Sequence, residues 1–183
     1  MINITEDNLI QKCSKGEADA FAPLMKIYRQ RVFSYLFKLC GNRITAEDLF
    51  QETLIKVWRA FPKYDERNKF SSWLFSIAHN SAMDALRKKN LHEFLEYNEE
   101  SEFETGTNDP HMELINSEAH EIISRAVDQL PIKQREVFLL RVHGGMTFKE
   151  IAEATKEPLN TVISHMHYSV KKLRKILRQE YAE

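Results

Sequence analysis

Glycine and proline are scarce in this sequence, with five of each in 183 residues, together under half of ordinary usage. So few turn formers argue against many short strands and favour long helices. Cysteine is scarcer still. Cys13 and Cys40 stand 27 positions apart with no Cys or His at zinc spacing, which leaves reduced cytosolic thiols in or near a core. No apolar run approaches the ~18 residues of a membrane span. Residues 1–14 lack the layout of a signal peptide. The sequence contains no Gly-rich phosphate loop, no His-Glu-x-x-His and no Gly-x-Ser-x-Gly. No catalytic set emerges, so no enzyme, cofactor or small-molecule substrate is expected.

Net charge is also nearly absent, at −1. Taken alone, that argues against a nucleic-acid binder, which usually carries a basic excess. The distribution reverses the reading. Residues 1–89 hold 15 basic and 10 acidic side chains, residues 90–121 hold 10 acids and no Lys or Arg, and residues 122–183 hold 11 basic and 7 acidic. Two basic blocks flank an acidic connector. Apolar residues make up 43% of the chain, enough for two packed units of roughly 60–90 residues.

Helical periodicity dominates both blocks. Thr5 caps a short helix that ends at Gly16, and a long stripe from Phe21 to Leu39 predicts a helix over 17–40, stopped by Gly41-Asn42. Thr45 with Asp48 resembles a capping box that opens the next helix, which Pro62 ends. A polar loop over 63–69 leads to a helix over 70–89. Residues 90–110 lose the pattern and read as a solvated linker. Asp109-Pro110 is a helix start, and Pro131 starts another helix, stopped by Gly144-Gly145. Thr147 to Glu150 forms a capping box for a short helix, and Asn160 caps the last. The expected architecture is all-α, with two small helical domains (1–89 and 111–183) joined by the acidic linker 90–110.

Residues 147–178 form a helix-turn-helix, whose second helix offers its N-terminal residues to base edges in the major groove. Its outward positions are Asn160, Thr161, Ser164, His165, Tyr168 and Lys171, followed by a run of cations that includes Lys172. Those cations can neutralise phosphates, or simply suit the negative end of the helix dipole. His165 and His167 lie on different helix faces and cannot jointly chelate a metal. In the first block, Asp48, Gln51, Glu52 and Ile55 share one side of a helix, opposite the Trp58 face. An acidic patch beside an apolar residue can dock a basic partner, although periodicity alone favours a helix-dipole role. Asn80, Asp84, Arg87 and Lys88 fall at i, i+4, i+7 and i+8, a stripe mixing base-reading and phosphate-neutralising groups. Tyr64 and Phe70 stand among Lys63, Arg67 and Lys69. Aromatics interleaved with cations suit single-stranded DNA, with Tyr64 the best exposed and each ring otherwise a core residue.

These residues resemble a known family. Residues 46–58, Ala-Glu-Asp-Leu-Phe-Gln-Glu-Thr-Leu-Ile-Lys-Val-Trp, resemble the polymerase-binding helix of bacterial sigma factors. Residues 70–80, followed by Asp84-Ala85-Leu86-Arg87-Lys88, resemble their segment for the −10 promoter element. Leu130-Pro131, residues 134–138, Ile151-Ala152-Glu153 and Thr161-Val162 resemble their helix-turn-helix for the −35 element. The lack of further domains resembles the small extracytoplasmic-function (ECF) group.

The resemblance implies a transcription initiation factor that takes core RNA polymerase to promoter DNA. Asp48, Gln51, Glu52 and Ile55 would bind the clamp helices of the β′ subunit. Tyr64, Phe70, Asn80, Asp84, Arg87 and Lys88 would hold the −10 element, trapping unpaired non-template bases. Asn160, Thr161, Ser164, His165, Tyr168, Lys171 and Lys172 would read the −35 element. The group's partners also imply an anti-sigma factor, often held at the membrane. Two residues depart from the family pattern: Lys156 stands where the turn usually has Gly, and His165 where the recognition helix usually has Arg. The alternative reading is a stand-alone helix-turn-helix regulator that binds duplex DNA without polymerase.

Overall fold

Local start and stop chemistry sets most of the element boundaries. The structure, a computed structural model, describes residues 5–65, 67, 69–95 and 118–180. Helix α1 (Glu6–Ser14) starts where Thr5 Oγ1 accepts from the Asn8 N–H. A 3-10 turn (Ala18–Ala20) leads into α2 (Phe21–Cys40), which closes on Gly41 at φ 70°, a conformation that favours glycine. Helix α3 (Arg43–Ala60) begins two residues before the expected capping box. Its cap is Asn42, whose side chain accepts from the Thr45 N–H at 2.9 Å. Thr45 is therefore inside the helix, because Asn42 already satisfies the donor that a Thr45 cap would have left for others. Pro62 lies in a 3-10 turn (Phe61–Lys63).

Helix α4 (Phe70–Leu95) runs six residues past the expected end at Lys89. Residues 96–117, most of the acidic connector, lie outside the described residues, as does the helix start expected at Asp109-Pro110. Helix α5 (Glu118–Asp128) and α6 (Ile132–Val142) flank Pro131. Helix α7 (Phe148–Thr155) has the expected capping box. The Thr147 N–H donates to Glu150 Oε2 at 2.6 Å, and the Glu150 N–H donates to Thr147 Oγ1 at 3.2 Å. Helix α8 (Leu159–Glu180) starts one residue before Asn160, on the Pro158 carbonyl, which accepts from the N–H groups of Thr161 and Val162. Asn160 therefore sits in the first turn and is not the cap. No strand occurs among the described residues.

The two halves are helical domains, and one hydrophobic cluster runs through both. Leu24, Leu36, Leu74 and Phe75 are fully buried in the first half, and Leu140, Met146, Ile151 and Val162 in the second. Helix α6 packs on α2, and α7 packs on α4. Gly144 permits this close approach. A Cβ there would lie 3.2 Å from Phe75 Cγ, 3.1 Å from Met146 Cγ and 2.5 Å from the Leu140 carbonyl oxygen. Any side chain at 144 would collide first with the Leu140 carbonyl and would also press on Phe75 of α4.

Candidate polymerase and promoter interfaces

Helix α3 buries Ala46, Leu49, Thr53 and Val57 and turns Asp48, Gln51, Glu52 and Ile55 outward. The buried row anchors the exposed one. All four predicted polymerase-facing side chains lie on one solvent face, and Ile55 keeps 52% of its surface exposed. Glu52 is not a free acid: its Oε1 lies 2.6 Å from Lys56 Nζ one turn on. An exposed pair of this spacing contributes only a few tenths of a kcal/mol. The separation expected between this row and Trp58 is incomplete. Ile55 and Trp58 meet in one shallow apolar groove with Ala18, Phe21, Leu54 and Arg59, because positions i and i+3 are neighbours on a helix. Phe21 packs edge-on against Trp58 with ring centroids 5.2 Å apart.

Two of the proposed −10 residues differ from expectation. Phe70 is 3% exposed. It packs against Tyr28 at 5.3 Å and Phe61 at 5.6 Å, so it is a core residue and offers no free face for a base. Tyr64 is half-buried, 4.8 Å from Trp73 and 6.0 Å from Phe61. It edges the aromatic cluster instead of standing out of the loop. The reason is shared: the loop after α3 lies back on α2 and the start of α4, and aromatic burial is worth more than exposure. Asn80, Asp84, Arg87 and Lys88 are all exposed on α4, with Arg87 Nη2 paired to Asp84 Oδ1.

Beside Asn80 the structure adds Lys56 and Arg59, which sequence reading had passed over, and Lys63, which it had grouped with Tyr64. Lys56, Arg59, Lys63 and Ile77 line one groove with Asn80. The signal was present as a basic row at 56, 59 and 63, spaced i, i+3 and i+7 across the end of α3. Lys56 Nζ also donates to Ser81 Oγ at 3.0 Å, which ties this wall of the groove to α4. In the loop, Arg67 forks onto Asp65, with Nη2 2.6 Å from Oδ2. Hydrogen bonds from the Arg67 side chain and backbone hold the Asp65 carboxyl down at about 2.

The helix-turn-helix keeps its expected shape with an unusual residue at the turn. Lys156 adopts φ 57° and ψ 33°, and is the one non-glycine residue of positive φ among those described. The left-handed geometry that usually falls to glycine is thus retained at a cost of about 1–2 kcal/mol. Val162, Ser169 and Leu173 anchor α8, while Asn160, Ser164, Tyr168 and Lys171 face solvent and Thr161 is half-exposed. Two predicted −35 residues are otherwise engaged. Lys172 Nζ donates to the Gln129 carbonyl at 2.6 Å, where it satisfies the frayed end of α5 and is not a free cation. His165 Nε2 lies 3.3 Å from Glu157 Oε2, which turns it toward the protein. Among the described residues no group of three His, Cys, Asp or Glu side chains is placed to hold a metal. No helix among them is long and apolar enough to cross a membrane. Cys13 is buried, Cys40 is half-buried, and neither is disulfide-bonded.

The model of Sigma-70 region 2 matches residues 24–91, and that of Sigma-70 region 4 matches residues 120–173. The ECF RNA polymerase sigma factor SigW of Bacillus subtilis is 30% identical over 177 residues, which cover 92% of this chain and 95% of SigW. The ECF RNA polymerase sigma-E factor of Escherichia coli is 27% identical, covering 89% of each chain. In fold, the chain resembles the sigma factor RpoE from Bartonella quintana, solved with the anti-sigma factor NepR. That match has a TM-score of 0.74 at 21% identity and covers 86% of this chain and 96% of the other. It also resembles CnrH, solved with the cytosolic domain of CnrY, with a TM-score of 0.63 at 19% identity, over 93% and 96%. The chain therefore belongs to the ECF group of RNA polymerase sigma factors, transcription initiation factors that direct core polymerase to promoters.

Proposed function

We propose that each of three exposed rows carries one step of initiation. Residues 1–89 form the domain for core polymerase and the −10 element, and residues 111–183 form the domain for the −35 element, with residues 90–110 between them. Asp48, Gln51, Glu52 and Ile55 dock on the clamp helices of the β′ subunit, with the groove at Trp58 taking an apolar side chain beside them. Asn80 reads a −10 base in the groove walled by Lys56, Arg59 and Lys63, where Arg59 and Lys63 neutralise the flanking phosphates and Lys56, held by Glu52 and Ser81, fixes the wall. Asp84, Arg87 and Lys88 extend the same surface along the strand, with half-buried Tyr64 beside it at the edge of the aromatic cluster. Trapping unpaired non-template bases offsets the few kcal/mol per base that unstacking costs. Asn160, Thr161, Ser164, Tyr168 and Lys171 read the −35 duplex. Nothing in this requires chemistry by the chain itself, and its site of action is the cytoplasm.

The observation that carries this reading is the exposure of Asn160, Ser164, Tyr168 and Lys171 in one row on a helix locked by Val162 and Leu173. An anti-sigma partner follows by likeness. One solved relative is bound to an anti-sigma factor and another to the cytosolic domain of its partner, the latter a form that suits a membrane-anchored regulator. A gel shift discriminates this from a stand-alone regulator. Promoter DNA should shift only when core polymerase is added, while a salt-sensitive shift of comparable strength by the chain alone would contradict the proposal.

A further inference from the structure

Two large aliphatic side chains on α8 stay outside the core. Leu159 keeps 45% of its surface exposed and Ile163 keeps 43%. Among the described residues neither joins the hydrophobic cluster, which takes Val162, Met166 and Leu173 from the same helix. They stand at i and i+4, so their side chains adjoin. Polar groups make up the rest of the exposed row around them: Asn160, Ser164, His167, Tyr168 and Lys171. Ile163 is three positions from Asn160 and four from His167, which makes it a neighbour of both along the edge of that row.

Contacts to α6 and to the turn fix the direction in which α8 presents the row. Val162 and Ser169 are fully buried, and Ser169 Oγ lies 3.0 Å from the Gln134 carbonyl on α6. In the turn, Glu157 carries Lys133 Nζ of α6 on one oxygen at 2.9 Å and His165 Nε2 on the other at 3.3 Å. Turning α8 far enough to bury Ile163 would break both sets of contacts. Ile163 is also β-branched, with one strongly preferred rotamer in a helix. It is therefore a stiff apolar surface aimed at whatever the first turns of α8 meet.

An apolar side chain gains by contact only where it covers another apolar group. In the major groove the base edges offer hydrogen-bond donors and acceptors, and the apolar feature among them is the C5 methyl of thymine. Asn160 carries the amide that pairs in bidentate fashion with adenine. The two neighbours thus suit the two kinds of feature that A·T pairs display.

We propose that Ile163, backed by Leu159, packs on a thymine methyl in the −35 element and so selects an A·T pair at one position of it. This rests on α8 reading the −35 element. The aliphatic pair is continuous with the row that reads the duplex, and a protein seated on it would also cover Asn160 and Ser164. That continuity commits the face to DNA, with Lys171 two turns on from Ile163 placed for a phosphate.

Deoxyuridine pairs with adenine as thymidine does and lacks only the methyl. The holoenzyme of core polymerase and the full chain is titrated with a promoter whose start has been mapped, each −35 thymine on either strand being replaced singly by deoxyuridine. At one position the replacement should raise the half-saturating promoter concentration about 3- to 5-fold, as for uncovering one methyl group. Ile163→Ala should raise it by a similar factor on the thymine promoter and should be indifferent to deoxyuridine at that position, because the two changes remove the two sides of one contact. Ile163→Val keeps a branched aliphatic surface and should keep most of the response. The deoxyuridine series with wild type decides the matter even if a variant folds poorly. A −35 element without thymine on either strand, a wild type indifferent to every deoxyuridine, or an equal loss from Ile163→Ala on thymine and deoxyuridine promoters would each overturn the proposal, the last by pointing to a protein contact. Absence of any promoter-specific start with wild type on thymine templates would instead overturn the −35 reading, and the proposal with it.

Discussion

His79 Nε2 lies 3.2 Å from Glu136 Oε1 across the contact between the two domains, with both side chains almost wholly buried. Burial, helped by the Lys133 charge, pulls the His79 imidazole down to about 4, and burial pushes the Glu136 carboxyl up. His79 is thus neutral at pH 7, with Tyr35 on one ring nitrogen and Glu136 facing the other. The two groups act oppositely on stability as the medium is acidified. The His79 term is present above about pH 6.5 and is lost as pH falls toward 4, because the unfolded chain takes up the proton first. The Glu136 term favours the folded chain as pH falls, because the folded carboxyl takes up its proton first. Glu136→Gln removes the second term. Its stability should then decline between pH 6.5 and 4 by up to about 3 kcal/mol more than that of the His79→Gln/Glu136→Gln double variant. Urea midpoints across that range read the difference, and parallel curves would refute it.

Asp48→Arg combined with Glu52→Arg should weaken binding to core polymerase at least about tenfold. Both side chains are exposed, and surface changes of this kind usually alter stability by under about 0.5 kcal/mol apiece. Co-purification with core, together with a melting curve, checks both halves. Unchanged capture of core would remove α3 from the polymerase interface.

Asn80→Ala should lower promoter opening by about 1–3 kcal/mol, as for loss of one base contact, with core binding intact. Arg59→Ala and Lys63→Ala should reduce opening on every promoter tested and flatten its salt dependence. Permanganate footprints of the −10 region on two promoters distinguish the patterns. Equal losses from Asn80→Ala at every base pair of the element would argue that this residue reads no base.

Lys156→Gly should stabilise the chain by up to about 1 kcal/mol. The substitution relieves a side chain held at φ 57°, although glycine gives back part of that gain by making the unfolded chain more flexible. A fall in the urea midpoint would mean that the Lys156 side chain contributes more to the turn than its backbone costs.

What could be read from sequence was local. The Thr147–Glu150 capping box, the Gly41 stop and the apolar stripes depend on neighbours within four positions, and each was legible. Asn42 took the cap expected of Thr45, because two candidates three residues apart differ only by which N–H they meet. Phe70 and Tyr64 looked available because their partners Tyr28 and Trp73 lie on other elements. Lys172 looked like a DNA-facing cation until the Gln129 carbonyl was beside it. Periodicity marks a buried face but not what covers it. That is why Glu136 in the Gln134–Phe138 motif gave no hint of His79, and why the packing of one domain on the other lay beyond the sequence.

Run-off transcription with sigma-free core polymerase and the purified chain, on cognate genomic DNA, decides whether the chain directs polymerase to promoters. Transcripts should start at discrete sites preceded by a shared pair of elements about 25 base pairs apart, and at sub-saturating chain they should fall about tenfold or more with Asp48→Arg/Glu52→Arg. Starts spread as with core alone, or specific starts undiminished by that double variant, would contradict this.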